Sequence, residues 1–311
     1  MNYSLKIEDQ DTFYYTIGPE PNPVLTVEPG STIEIETIDA FEEEIDSEST
    51  KPSDVMDKTY RNPTMGPIAV EGAEKGDALG VKIEKIEPRG ENPEGTTCLV
   101  PNFGGLTPTT EHPTLNDPLP EIVKRVPLST DGIKWSEDIT LPYEPFIGTI
   151  GTSPTIQSIT NITPDWWGGN MDLPDVCPGN TLYLPVSIEG GYLYLGDCHA
   201  VQGDGEVSGA AIEMSAVVTL TVDIVKDWTL KWPRLENEDI IMSIGSRRPL
   251  DDATRIAYYD LISWLMEKEP DFDKYEAYLL LGQLGKVRVG NIVDPNYTVG
   301  AYIEKKYLPN S

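Results

Sequence analysis

Between residues 31 and 38 the chain alternates with a period of two, Ile33, Ile35 and Thr37 on one side against Glu34 and Glu36 on the other. That period marks a half-buried strand, and Val24-Leu-Thr-Val27 ahead of the Pro29-Gly30 turn predicts a strand before it. The same phrasing returns at residues 78–86 behind Gly76-Asp77, at residues 181–188 behind Cys177-Pro-Gly-Asn, and at residues 216–225. Recurrent turn-then-strand units of this kind predict a mainly β fold, a β-sandwich or barrel-like core. Residues 90–165, punctuated by proline and glycine, predict long loops over the sheets.

The pattern changes near the C-terminus. Ile256, Tyr259, Leu261, Ile262 and Leu265 recur at helical spacing behind Asp251-Asp252, predicting a helix over residues 253–267. A second helix is predicted over 273–284, stopped at Gly285, followed by a strand over 287–293. We therefore expect a mainly β core at residues 1–235 that carries the site, and a smaller α+β lobe at 236–311 that serves packing or subunit contact.

Candidate chemistry gathers in two glycine-rich runs, Gly168-Gly-Asn-Met-Asp172 and Gly196-Asp-Cys-His-Ala-Val-Gln-Gly-Asp-Gly-Glu206. If residues 192–199 are extended, Asp197 and His199 share a face while Cys198 points the other way. The glycines around Asp204 permit a turn that aims Asp204 and Glu206 at one cavity. Asp172, Asp197, His199, Asp204, Glu206 and Glu213 form the pool of ligand atoms for a divalent metal. Three chemistries compete there. A metal held by His199 and carboxylates would polarise a carbonyl and acidify water, with Glu206 moving protons. A thiolate from Cys198 or Cys177 would need His199 as its base, and Ser153 would need an elbow motif that the chain lacks. The metal reading ranks first. His112, in a proline-bounded loop, is expected at the surface.

These residues resemble the acetamidase/formamidase family. The resemblance rests on Gly169-Gly-Asn-Met-Asp172, Leu182-Tyr-Leu-Pro-Val186, the Gly196–Glu206 run and Gly209-x-Ala-Ile-Glu213, and it extends to Glu36-Thr-x-Asp-Ala40, Gly66-Pro-Ile-x-Val-Glu71, Pro145-Phe-x-Gly-Thr-x-Gly151 and Val287-Arg-Val-Gly-x-x-Val-Asp-Pro295. It implies an amidohydrolase that converts a short carboxamide, formamide or acetamide, to carboxylate and ammonia. It also implies a metal, zinc by expectation with calcium as the alternative. On that basis Glu206, Asp204 and Glu71 are expected as catalytic groups and Asn170, Gln202 and Gly151 as substrate-binding positions. Asp39, Asp172, Asp197, His199 and Glu213 are expected to hold the metal. The alternative class is a non-catalytic metal- or carbohydrate-binding β-sandwich.

Charge and cysteine content narrow the partners. A formal charge of −29 repels phosphate backbones and anionic lipid, so a small neutral amide is expected as partner and neither nucleic acid nor membrane. No leader-like or membrane-spanning run is apparent, and three cysteines without metal-finger spacing fit reduced thiols, so a cytoplasmic location is expected. A homodimer or larger homo-oligomer is expected. Part of the acidity lies in residues 41–54, which read as a solvated loop, with a mobile flap over the site as the other reading.

Overall fold

The computed structural model describes residues 1–56, 60–107, 115 and 117–309. His112 lies outside them. Two large sheets stack face to face. The first has nine strands in the order Asn2–Leu5, Ser31–Thr37, Ala216–Val225, Ala78–Pro88, Thr181–Pro185, Arg234–Glu236, Ile240–Arg247, Tyr297–Glu304 and Lys286–Val289. All its pairs are antiparallel except the first, where Asn2–Leu5 runs parallel to Ser31–Thr37. The alternation read from sequence is the one observed: Ile33 and Ile35 are fully buried while Glu34 is exposed. Ile33, Ile35, Val218 and Leu220 from this sheet share one core with Ile147, Ile150, Leu193 and Leu195 of the other, which makes the architecture a sandwich.

The second sheet is where the sequence reading of residues 90–165 fails. Glu94–Leu99, Ile122–Pro127 and Phe146–Thr152 are strands, in the order Gly168–Asn170, Phe146–Thr152, Leu193–His199, Glu213–Met214, Glu94–Leu99, Ile122–Pro127. Thr64–Val70 adds to the other side of Leu193–His199 and pairs in parallel with Leu25–Val27. Phe146–Thr152 shows no alternation because every residue in it is buried. Its glycines are there for close approach: a Cβ at Gly151 would stand 2.7 Å from the Trp167 carbonyl oxygen, so they mark contact between strands rather than a break.

The expected boundary after residue 235 falls inside the strand Arg234–Glu236, and the nine-stranded sheet crosses it. Helices Leu250–Lys268 and Lys274–Leu284 pack on the late strands of that sheet. Asp273 caps the second through the backbone N–H groups of Tyr275 and Glu276, whereas Asp251 and Asp252 lie in the first turn of the first helix, not at its cap. The dock is an arginine. Arg234, buried on its strand, donates to Asp260 at 2.8 Å and Glu267 at 2.7 Å on the long helix, and its guanidinium lies against Trp228 and Trp264. Gly245 lets the helix backbone come close, since a Cβ there would meet the Ala253 carbonyl oxygen at 2.5 Å.

Residues 41–54 are held to the body of the protein. Phe41 and Ile45 are buried in a small cluster with Cys98, Val123 and Ala210. Arg125 donates to the Ile45 carbonyl and pairs with Glu94, and Arg89 pairs with Glu43. No helix among the described residues is long and apolar enough to cross a membrane.

Candidate active site

The site forms at one end of the second sheet, where the strand Leu193–His199 delivers Asp197 and His199 and its neighbour Glu213–Met214 delivers Glu213. His199 and Glu213 are register partners, so their side chains leave the same face side by side. The ring nitrogen Nε2 of His199 lies 3.1 Å from Glu213 Oε2 and 3.4 Å from Asp197 Oδ1. Each carboxylate has its other oxygen engaged: Glu213 Oε1 accepts from the Ala211 N–H at 2.9 Å, and Asp197 Oδ2 accepts from Asn62 Nδ2 at 2.9 Å. Phe146, opposite His199 on the next strand, packs edge-on against the ring at 4.9 Å.

Asp172 joins from the turn after Gly168–Asn170. It is fully buried, and its Oδ1 has no hydrogen-bond partner among the described residues. Room for it comes from Gly148: a Cβ there would lie 2.8 Å from both Asp172 Oδ1 and Asp197 Oδ2. Asn170 ties the group together, its Nδ2 donating to Asp172 Oδ2 and to Asp294 Oδ2, each at 2.8 Å, while Thr149 Oγ1 and Asn62 Nδ2 donate to its Oδ1. Glu206 completes the cluster, within reach of the same cation position as His199 and Glu213. Asp172, Asp197, Glu206 and Asn62 all adopt φ between 46° and 54°. Left-handed backbone is costly for such residues and concentrates at functional sites.

Packing carboxylates together out of water has the expected electrostatic result. Burial, with the neighbouring charge of Asp294, holds Asp172 well above the usual carboxylate range. Burial and Asp172 do the same to Glu206, and burial and Glu206 to Asp294. Glu213 is pushed up to about 7 by burial, against the opposing pull of His199. Burial alone would lower the imidazole, but Glu213 and Asp197 outweigh it and raise His199 well above its ordinary value.

Several expected positions lie elsewhere. Glu71 is exposed in the turn beyond the far end of Thr64–Val70, roughly 20 Å of strand away from Asn62. Asp204 is half exposed and pairs with Arg288 at 3.1 Å. Asp204 and Glu206 do line one cavity, of about 640 Å³, as the glycine turn predicts, but only Glu206 also borders the cavity over the His199 cluster. Asp39 is buried, yet its Oδ1 accepts from the Phe41 and Glu43 N–H groups at 2.9 Å, so it closes the turn that carries Phe41 to the cavity wall. Gly151 packs against the strand of Gly168, and Gln202, which lines the same cavity as Asp204 and Glu206, sets its amide oxygen 3.0 Å from His199 Nδ1. Asn170 borders the cavity with its amide already engaged by the cluster.

The rival nucleophiles are turned away. Cys198 faces the core, 3.6 Å from Thr37 Oγ1, and burial pushes its thiol up to about 12. Cys177 is pushed up to about 11, chiefly by burial, and Ser153 Oγ is buried and donates to the Pro154 carbonyl.

A cavity of about 260 Å³ opens onto the cluster. Phe41, Met56, Phe103 and Ile162 form its apolar wall, and Arg61 and Arg248 bring positive charge beside Asn62 and Asp294. An imidazole and converging carboxylates under such a cavity form a donor set that could hold a divalent cation. The family model for the acetamidase/formamidase family matches residues 2–165 and 156–307, and the chain belongs to that family. It is 53% identical to an acetamidase from Yersinia enterocolitica of known crystal structure (TM-score 0.97), over 99% of this chain and 93% of that one. It is 33% identical to an acetamidase from Bacillus halodurans (TM-score 0.88), covering 98% of each. It is 29% identical to the acetamidase of Mycolicibacterium smegmatis over 67% of this chain. The chain spans 61% to 64% of the length of the curated relatives it matches.

Proposed function

We propose that the protein is an amidohydrolase that cleaves a short carboxamide to carboxylate and ammonia at the His199 cluster. The observation that carries this reading is the convergence of His199 with Asp172, Asp197, Glu206 and Glu213, all buried, beneath a cavity sized for a small molecule, in a chain of this family.

A divalent cation suits the donor set. His199 with Asp172 and Asp197 would hold it, Glu213 standing 3.1 Å from the same ring nitrogen, and imidazole among carboxylates favours zinc over calcium. When bound, the cation would supply Lewis-acid polarisation of the amide carbonyl and of water. Glu206, buried and raised above the ordinary carboxylate range, is the proton carrier: it takes a proton from the attacking water and returns it to the departing amine. Arg61 and Arg248 favour the carboxylate product by charge. The apolar wall takes the acyl group, and the amide nitrogen lies towards the acidic floor. In this reading the enzyme assembles as a dimer or larger, supported by the exposed Tyr275, Tyr278 and Leu279 on one helix.

Ammonia release from formamide and acetamide, measured alongside bound metal, tests the proposal. Activity lost on chelation and restored by zinc is the expected result. Zinc-replete protein that releases no ammonia from either amide would return the site to the non-catalytic binding class.

A further inference from the structure

Gln202 makes three contacts that together decide the orientation of its amide. Its Nε2 lies 2.9 Å from the Asp172 carbonyl oxygen and 3.0 Å from that of Gly290, and its Oε1 lies 3.0 Å from His199 Nδ1. Carbonyl oxygens only accept, so the amide nitrogen must face the two of them and the amide oxygen must face the ring. An acceptor at 3.0 Å from Nδ1 requires that Nδ1 carry a hydrogen. We propose that Gln202 is a positioning residue that keeps a proton on His199 Nδ1 and so turns Nε2 towards Asp197 and Glu213, where it donates in the bare protein and is free to meet a cation in the loaded one.

The surroundings are built for that orientation. Gly290 comes from the C-terminal segment, and a Cβ there would stand 2.4 Å from the Met171 carbonyl oxygen. Only a glycine lets this segment close onto the 170–172 turn so that two carbonyls converge on one amide nitrogen. An amide also serves better here than the carboxylate that often stands behind a ligating histidine. It accepts the Nδ1 hydrogen without adding negative charge to a cluster that already buries Asp172, Asp197, Glu206, Glu213 and Asp294.

The metal arm of the test rests on the proposed function; the ring-proton arm does not. In full-length protein with ¹⁵N-labelled histidine, the two histidines are told apart by a His112→Gln variant. The bare and zinc-loaded proteins should both show a His199 Nδ1–H in slow exchange with water. A wild-type ring whose single proton sits on Nε2 would overturn the proposal without recourse to any variant of Gln202. For binding, Zn²⁺ alone is titrated against a competing chelator. Gln202→Met, which removes the acceptor, should weaken zinc binding roughly 10- to 100-fold. Gln202→Glu keeps an oxygen towards the ring but sets its other oxygen against the Asp172 and Gly290 carbonyls, so zinc affinity should fall while the slow-exchanging Nδ1–H persists. Loss of that Nδ1–H in Gln202→Glu as well as in Gln202→Met would make Gln202 only a brace for the two carbonyls, and unchanged affinity in Gln202→Met would also defeat the assignment. If wild-type protein takes up no zinc, the metal reading fails, and the ring-proton measurement still decides the tautomer.

Discussion

His199 and Glu213 sit directly opposite each other on adjacent antiparallel strands, and the imidazole Nε2 of one lies 3.1 Å from Oε2 of the other. With Asp197 Oδ1 at 3.4 Å, the ring nitrogen is flanked by two carboxylate oxygens, an arrangement that is satisfied by a proton or by a cation. The choice between them sets the first prediction. His199→Ala should abolish amide hydrolysis and remove bound metal together, because among the described residues the cluster offers no other nitrogen ligand. Far-UV circular dichroism should be unchanged. Full metal with full activity in this variant would sink the mechanism.

Glu206→Gln separates ligand from proton carrier. The amide keeps the shape of the side chain but cannot take the water proton, so activity should fall about 100-fold or more with metal retained. Metal analysis on the purified variant decides the role: loss of metal would make Glu206 a ligand instead.

The contiguous part of this site was legible and the rest was not, for a physical reason. Asp197, His199 and Glu206 lie in one glycine-flanked run, and Asp197 and His199 do meet with Cys198 against Thr37, although Asp197 is left-handed at φ 54° and not extended as the alternation supposes. Asp294 arrives from the C-terminal segment and Asn62 from ahead of another strand, and only tertiary closure brings both to Asn170. Gly148 looked like any loop glycine, since its meaning depends on the two carboxylates 2.8 Å from its missing side chain. The strand Phe146–Thr152 is hidden in the sequence because burial on both faces erases the alternation that identifies a half-buried strand. Asp204 and Glu206 line one cavity together, and that Glu206 alone also borders the cavity over the cluster depends on tertiary placement that residue types do not specify.

The metal-free protein should lose stability as pH rises. Glu213 goes from an ordinary 4.5 to about 7 on folding, and His199 is also raised. A raised folded-state pKa means the folded protein holds protons that the unfolded chain releases. This contribution is therefore fully present below the unfolded value and is lost as pH climbs through the folded one. Asp172, Glu206 and Asp294 act with the same sign. Thermal scans of chelated protein should show Tm falling by several degrees between about pH 5 and about pH 8. Added zinc should restore most of the loss at the upper end. A Tm that rises across that interval without metal would contradict the assignment.

Arg234 is the stability prediction outside the site. Both it and Asp260 are buried, and their 2.8 Å pair is enclosed by Trp228 and Trp264. Removing the guanidinium leaves the Asp260 carboxylate without its partner. Arg234→Ala should therefore cost about 3–5 kcal/mol in urea unfolding, well above a surface pair. Arg234→Ala with Asp260→Leu should recover part of the loss, since the second change removes the orphaned charge. A cost below about 1 kcal/mol would show that the helix docks without the arginine.

The thiols supply the remaining discrimination between mechanisms. Cys98 borders the cavity, but burial, with the charge of Glu213, pushes its thiol up to about 12. Cys198 is equally raised and faces away, and Cys177 reaches about 11. At neutral pH none of them carries an appreciable thiolate, which is the species that alkylates and attacks carbonyls. Iodoacetamide applied to native protein should leave ammonia release unchanged, while the same reagent in denaturant should label all the cysteines by mass spectrometry. Cys98→Ala should keep activity within about threefold, because it trims the cavity wall without touching the proton path. Rapid inactivation of the native enzyme, with label confined to Cys98, would reinstate a cysteine nucleophile and displace Glu206 from its role.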